Sequence, residues 1–267
     1  MIKLSMGLPF FRSKYIGWAA LESLCRQEAV DFEWELIVLE EHKDEAMGEK
    51  EILSYTSRLQ DVGCTRIEYH ALDKWVPLAV KLKRIINLFG DTEIAIRNPD
   101  DYYAPPKLLN TAYNVLTEKS SIDWFSIPKT IFYNIADGKT LIYDVWATKQ
   151  RRKDDSSGRA FRTPLLKAAS NYFDNRLAVC DGMVRETYKK ALGRPINMYF
   201  DYTNNWKYGL NIKGLNNVSK GQSRWFNNIR SPLFECNVEL DKHIPADVLN
   251  KLLECKKFLS KHKRGLR

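Results

Sequence analysis

Two aspartates stand side by side at Asp100 and Asp101, in "EIAIRNPDDYYAPPKLL" (93–109), where a short apolar run ends. Adjacent carboxylates repel unless a cation or a proton sits with them. A divalent Mg2+ or Mn2+ is one such cation, and it would in turn neutralise a diphosphate. The plainer alternative is a turn or a helix N-cap, for which aspartate is equally suited. Two further stretches carry residue types that fit the same kind of ligand. Pro9-Phe10-Phe11-Arg12 follows the alternating segment "IKLSMGL", and Phe10 or Phe11 can flank a planar base. Glu40-Glu41 closes "WELIVLE", and a carboxylate there can accept hydrogen bonds from a base N–H or from ribose hydroxyls.

The elements that must position these residues alternate. "IKLSMGL" reads as a strand, and Ser13 can cap a helix running to about Gln27. "WELIVLE" is the near-continuous apolar run of a parallel strand covered on both faces. A polar, helix-prone stretch covers about 45–60, and "RIEYH" forms a third strand. "PLAVKLKRIINLF" starts on proline and repeats Leu78, Leu82, Ile85 and Phe89 at helical spacing. "EIAIR" is a fourth strand, followed by the helix "PKLLNTAYNVLTE". Such alternation predicts right-handed crossovers and an open, mostly parallel α/β sheet flanked by helices. Ligands then bind beyond the carboxyl ends of the strands, where the three stretches above converge. After residue 120 the character is mixed: "IDWFSI", "TIFYNI" and "TLIYDVWA" read as strands, with "ADGK" a turn between the last two. Helices are expected from near Asp181 and over about 246–261.

A chain of 267 residues with 44% apolar content suits one large α/β domain. Five scattered cysteines without a C-x-x-C pair read as reduced thiols, and the four histidines lack metal-ligand spacing. The start reads straight into a strand and no run reaches membrane-spanning length, so the expectation is a cytoplasmic protein. Missing G-x-x-x-x-G-K-[ST] and G-x-G-x-x-G patterns argue against a P-loop phosphotransferase and a dehydrogenase. The net charge of +9 is uneven, concentrated in "KQRRKDDSSGRAFR" (149–162) and the C-terminal "KKFLSKHKRGLR". These read either as a solvated loop and tail or as attraction to a polyanion.

Four stretches in order carry a family resemblance. "SMGLPFFRSKYIGWAALESLCRQ…FEWELIVLEE" resembles the opening of family-2 nucleotide-sugar glycosyltransferases of the GT-A fold. "RNPDDYYAPPKLL" resembles their D-x-D-D metal and diphosphate segment, "NYFDNRLAVCDGMVRETYKKAL" their catalytic-base segment, and "KGLNNVSKG" their H-G-x-N-x-S segment as phage-encoded members have it. The resemblance implies Asp181 as base and Asp100 and Asp101 as ligands of Mn2+ or Mg2+. It also implies a UDP-sugar donor held by Pro9, Phe10, Phe11, Arg12, Glu40, Glu41 and Lys81. Asn98, Lys213, Arg159, Arg162, Asn217 and Ser219 are then expected at the diphosphate or the acceptor. This sequence departs from the pattern at Asn98, where relatives have the first aspartate, and at Lys213, where many have a histidine.

The expected division is a donor half (1–120), a catalytic and acceptor half of the same domain (121–230) and a basic helical extension (231–267). The expected function is inverting sugar transfer to a hydroxyl, with hydroxymethylated pyrimidine in DNA as acceptor. The alternatives are a lipid-linked or cell-surface glycan at an anionic membrane, and a non-catalytic nucleotide- or nucleic-acid-binding module.

Overall fold

The computed structural model describes residues 1–41, 45–135, 137–144, 157–174, 184–203, 209–213, 235–236 and 238–262. In chain order the first half runs β1 (Leu4–Phe10), α1 (Trp18–Cys25), β2 (Trp34–Glu41), α2 (Glu49–Leu53), α3 (Thr56–Gln60), β3 (Cys64–Leu72), α4 (Leu78–Leu88), β4 (Ile94–Arg97), β5 (Tyr102–Tyr103) and α5 (Leu108–Glu118). The second half runs β6 (Trp124–Ile127), β7 (Lys129–Asn134), β8 (Thr140–Asp144), β9 (Ser157–Arg162), α6 (Thr163–Ser170), α7 (Val184–Leu192), β10 (Met198–Phe200), β11 (Leu210–Lys213), β12 (Glu235–Cys236) and α8 (Ala246–His262).

The main sheet has the order β10-β6-β9-β4-β1-β2-β3. Strands β3, β2, β1 and β4 are parallel neighbours. β9 is antiparallel to both β4 and β6, and β10 is parallel to β6. All the other strands of this sheet therefore share one direction and one carboxyl edge. β1 and β2 are buried along their whole length, as strands covered on both faces must be. One face carries Leu4, Met6, Leu8 and Phe10 against α1 and α5; the other packs α4, α6 and α7. A smaller sheet, β12-β8-β7-β11-β5, shares a third core with Trp18 of α1 and with Val248 and Leu252 of α8. Among the described residues no helix is long and apolar enough to cross a membrane.

Two local expectations are corrected. Ser13 does not cap α1: it opens a short 3-10 turn, the helix starts from Gly17, and the Ser13 hydroxyl donates instead to Glu40. The basic stretch 149–162 is not all loop, because 157–162 form β9, inserted between β4 and β6 with Ala160 and Phe161 in the core. Its polar first half hid the strand. Residues 149–156 of that stretch lie outside the described residues.

Candidate active site

The carboxyl edge of the main sheet gathers the residues singled out above. β1 leaves it through Arg12, whose φ of 51° and ψ of 44° place a non-glycine residue in the left-handed region. That turn sends Phe10 and Phe11 to different fates. Phe10 is fully buried in the core and cannot meet a ligand, which corrects its expected role, and Pro9 is likewise buried within β1. Phe11 is partly exposed, with Lys81 Nζ 5.1 Å and the Arg12 guanidinium 5.3 Å from its ring centre. Of the two rings it is the one that reaches solvent. The exposed Arg12 pairs with Glu45 at 3.2 Å.

The two glutamates are also separated. Glu40 is buried, and its carboxylate accepts from Ser13 Oγ, from the backbone N–H of Met47 and Gly48 (both 2.9 Å) and from Tyr69 Oη (3.2 Å). It is consumed in holding the loop after β2, so it is a positioning residue and not a ligand contact. Glu41 is paired with Lys81 at 2.9 Å, and Lys81 also donates to the Phe10 carbonyl at 3.0 Å. Lys81 is thus delivered by α4 to the end of β1, buried, beside Phe11.

At the end of β4 the chain turns through Asn98 into the acid pair. Asn98 is buried; its backbone N–H donates to the Gly7 carbonyl at 3.2 Å, and its side-chain oxygen has no hydrogen-bond partner. Asp100 accepts from the Phe11 N–H at 2.8 Å, which ties the acid pair to the aromatic turn. Desolvation, and next the neighbouring Asp101 charge, push the Asp100 carboxyl up to about 7. Asp101 is paired with Lys213, Nζ to Oδ2 2.7 Å. β5 and β11 are antiparallel neighbours, and the Ile212 N–H donates to the Asp101 carbonyl at 2.7 Å, so the backbone itself brings Lys213 to Asp101. The pair sits in a turn, with the Tyr102 N–H donating to the Pro99 carbonyl at 3.3 Å, and the cation beside it is the Lys213 ammonium.

Two buried arginines join the same edge. Arg97 ends β4 and faces Arg159 across the antiparallel pair. Burial pushes the Tyr188 hydroxyl's pKa upward, and the charges of Arg97 and Arg159 oppose it, which places both cations near that ring. Arg97 was missed in the sequence, although a lone cation closing an apolar strand is a readable signal. So was Asp201, buried just past β10, which accepts from the Thr203 N–H and hydroxyl, both at 3.0 Å. Arg162 is corrected. It pairs with Ile94 at the opposite end of β4 and donates to the carbonyls of Ile122 (3.1 Å), Leu116 (2.5 Å) and Lys119 (3.2 Å). It closes the C-terminal end of α5, at the sheet edge away from the site. Asp181, Asn217 and Ser219 lie outside the described residues.

The acid pair does not fit a divalent ion as it stands. Mg2+ needs carboxylate oxygens and near-octahedral space. Here Asp101 carries an ammonium, Asn98 replaces a carboxylate, and among the described residues no group of three His, Cys, Asp or Glu side chains is placed to hold a metal.

This architecture is that of the GT-A glycosyltransferases. Against S. aureus TarS 1-349 in complex with UDP-GlcNAc the chain aligns with a TM-score of 0.56 at 20% identity, covering 79% of this chain and 59% of that one. Against the complex of TarS 1-349 with UDP the TM-score is again 0.56, at 13% identity, over 100% of this chain and 92% of that one. The mannosyltransferase PcManGT from Pyrobaculum calidifontis, in complex with GDP-Man and Mn2+, aligns with a TM-score of 0.57 at 12% identity, over 99% and 76%. The alignment to the longer TarS chain spans 37% of it. At these identities the likeness is one of fold. The sequence matches no protein-family model, and no curated protein matches it.

Proposed function

We propose that this chain transfers a sugar from a nucleoside-diphosphate donor to an acceptor hydroxyl, with inversion at the anomeric carbon. The observation that carries this reading is the convergence of Phe11, Lys81, the acid pair and Lys213 on the carboxyl edge of a GT-A sheet. Phe11 offers a face to the base, and the buried cations offer counter-charge to the diphosphate. The acceptor oxygen attacks the anomeric carbon as the bond from that carbon to the β-phosphate oxygen breaks. The bonding pair leaves with the nucleoside diphosphate, and the acceptor proton passes to a general base. We assign that base to Asp181, three positions before α7. A UDP-sugar is the first donor to try, since TarS is seen with UDP-GlcNAc and UDP. GDP-mannose is the second, since PcManGT is seen with GDP-Man.

For the acceptor, the net charge of +9 supports a polyanion. Hydroxymethylated pyrimidine in DNA supplies both the phosphates and the hydroxyl, once the base is out of the stack. Arg159 is buried at the sheet edge and Arg162 is engaged with the carbonyls that close α5, so neither is presented as part of a surface patch for a polyanion.

The test is transfer of labelled sugar from a panel of nucleotide sugars to hydroxymethylated DNA, unmodified DNA and lipid-linked glycans. Donor hydrolysis with wild-type protein is expected, and Asp181→Asn should lower transfer at least about a hundredfold with nucleotide affinity kept. No turnover of any nucleotide sugar would sink the transferase reading. Label reaching only the glycan would sink the DNA acceptor and leave the enzyme standing.

A further inference from the structure

The disagreement between the acid pair and a divalent-ion site points to a specific alternative, which rests on the donor reading above. Lys213 is not a surface side chain that happens to reach Asp101. Its strand is registered against β5 on one side and β7 on the other, with the Ile135 N–H donating to the Lys213 carbonyl at 2.9 Å. The Lys213 and Asp101 side chains are only 12% and 11% exposed, and the ammonium lies 5.3 Å from the centre of the Phe132 ring. A divalent ion using Asp101 would have to expel an ammonium already bonded in a site that water hardly reaches, and a stranded buried charge is costly. The rest of the edge is supplied with cations as well: Lys81, Arg97 and Arg159 are all buried there.

We propose that the Lys213 ammonium is the resident counter-charge of the acid pair and the group that receives the donor's diphosphate, so that nucleotide binding needs no divalent ion. An ammonium has three N–H donors, and the bond to Asp101 uses one. Asp101 is then a positioning residue that aims the lysine. The lysine donates a hydrogen bond to a phosphate oxygen and meets the negative charge that appears when the sugar leaves.

The test measures UDP and GDP binding by titration calorimetry, in EDTA and in excess Mn2+, for wild type, Lys213→Met and Asp101→Asn, with thermal unfolding of each variant recorded. Wild type should bind one of the two with affinities in EDTA and Mn2+ agreeing within about threefold. Lys213→Met should lose at least about tenfold in EDTA, the scale of one charge-assisted hydrogen bond. Asp101→Asn, which leaves the lysine unaimed, should weaken binding about threefold to tenfold, and by the same factor in EDTA as in Mn2+. A wild-type affinity that collapses in EDTA and returns with Mn2+ would overturn the lysine and leave the donor site standing. A loss in a folded Asp101→Asn that appears in Mn2+ and not in EDTA would do the same by making Asp101 a metal ligand. Absence of binding by either diphosphate under both conditions would overturn the lysine and the donor reading together. The wild-type comparison decides the matter even if Lys213→Met does not fold.

Discussion

Phe10 and Phe11 are neighbours of the same type, and the left-handed turn at Arg12 gives them opposite work. Phe10 is packed with Leu8 and Val38, so Phe10→Ala should cost about 3–5 kcal/mol of stability by urea denaturation, as for other buried phenylalanines. Phe11→Ala should leave stability within about 1 kcal/mol and weaken nucleotide binding about tenfold, since the lost contact is with ligand and not with core. Equal losses of stability in the two variants would mean that Phe11 is a core residue after all. Glu40 makes the complementary case. Glu40→Ala strips four donors of their acceptor and should destabilise by about 2–4 kcal/mol, with two backbone amides left unpaired. If Glu40→Ala unfolds like wild type, the carboxylate is not holding that loop.

Between elements, the approach of α4 to β1 is what delivers Lys81. A Cβ added at Gly7 would lie 2.6 Å from Ile85 Cγ2 and 3.0 Å from Phe89 Cζ. Gly7→Ala should therefore push α4 outward, at a cost of about 1–3 kcal/mol, and lower nucleotide affinity at a distance from any ligand. An unchanged melting temperature would show that α4 can yield freely. On the other side of the sheet, Glu22 of α1 accepts from Arg26 at 2.6 Å and from both nitrogens of Arg58, just past the start of α3, at 2.8 Å. Hydrogen bonding by Arg58, ahead of the other effects, lowers the Glu22 carboxyl from its ordinary 4.5 to about 2. A depressed folded pKa stabilises above the unfolded value, and that stabilisation is lost as pH falls from about 4.5 towards 2. With the half-exposed Arg58 discounted for solvent, Glu22→Gln should remove about 1–2 kcal/mol at neutral pH. The same variant should flatten the acid limb of the stability curve in denaturant titrations run at stepped pH. An acid limb identical to wild type would show that the clamp contributes nothing.

For the molecule as a whole, α8 belongs to the body of the protein and not to a loose tail. Val248 and Leu252 are buried with Trp18, Ile131 and Ile142, and Lys251 lies 4.3 Å from the Trp18 ring centre. Removing residues after Phe258 should leave a cooperatively unfolding protein, whereas removing everything from Ala246 should expose that core and yield aggregation or a loss of cooperative melting. The sequence by itself determined the parallel strands, their helices and the meeting of three loops at one edge, because burial on both faces imposes continuous apolar runs and helical spacing that can be read directly. It also singled out the acid pair and the two departures at Asn98 and Lys213. Only the tertiary structure decided what each side chain faces. β9 was hidden because its pairing partners, β4 and β6, lie far from it in the chain, and Arg162 turns to the wrong edge for the same reason. Glu40 and Glu41 look equivalent in sequence, yet one is spent on a loop and the other on Lys81. The contact between Asp101 and Lys213 spans 112 positions and depends on the pairing of β5 with β11, which local pattern does not encode.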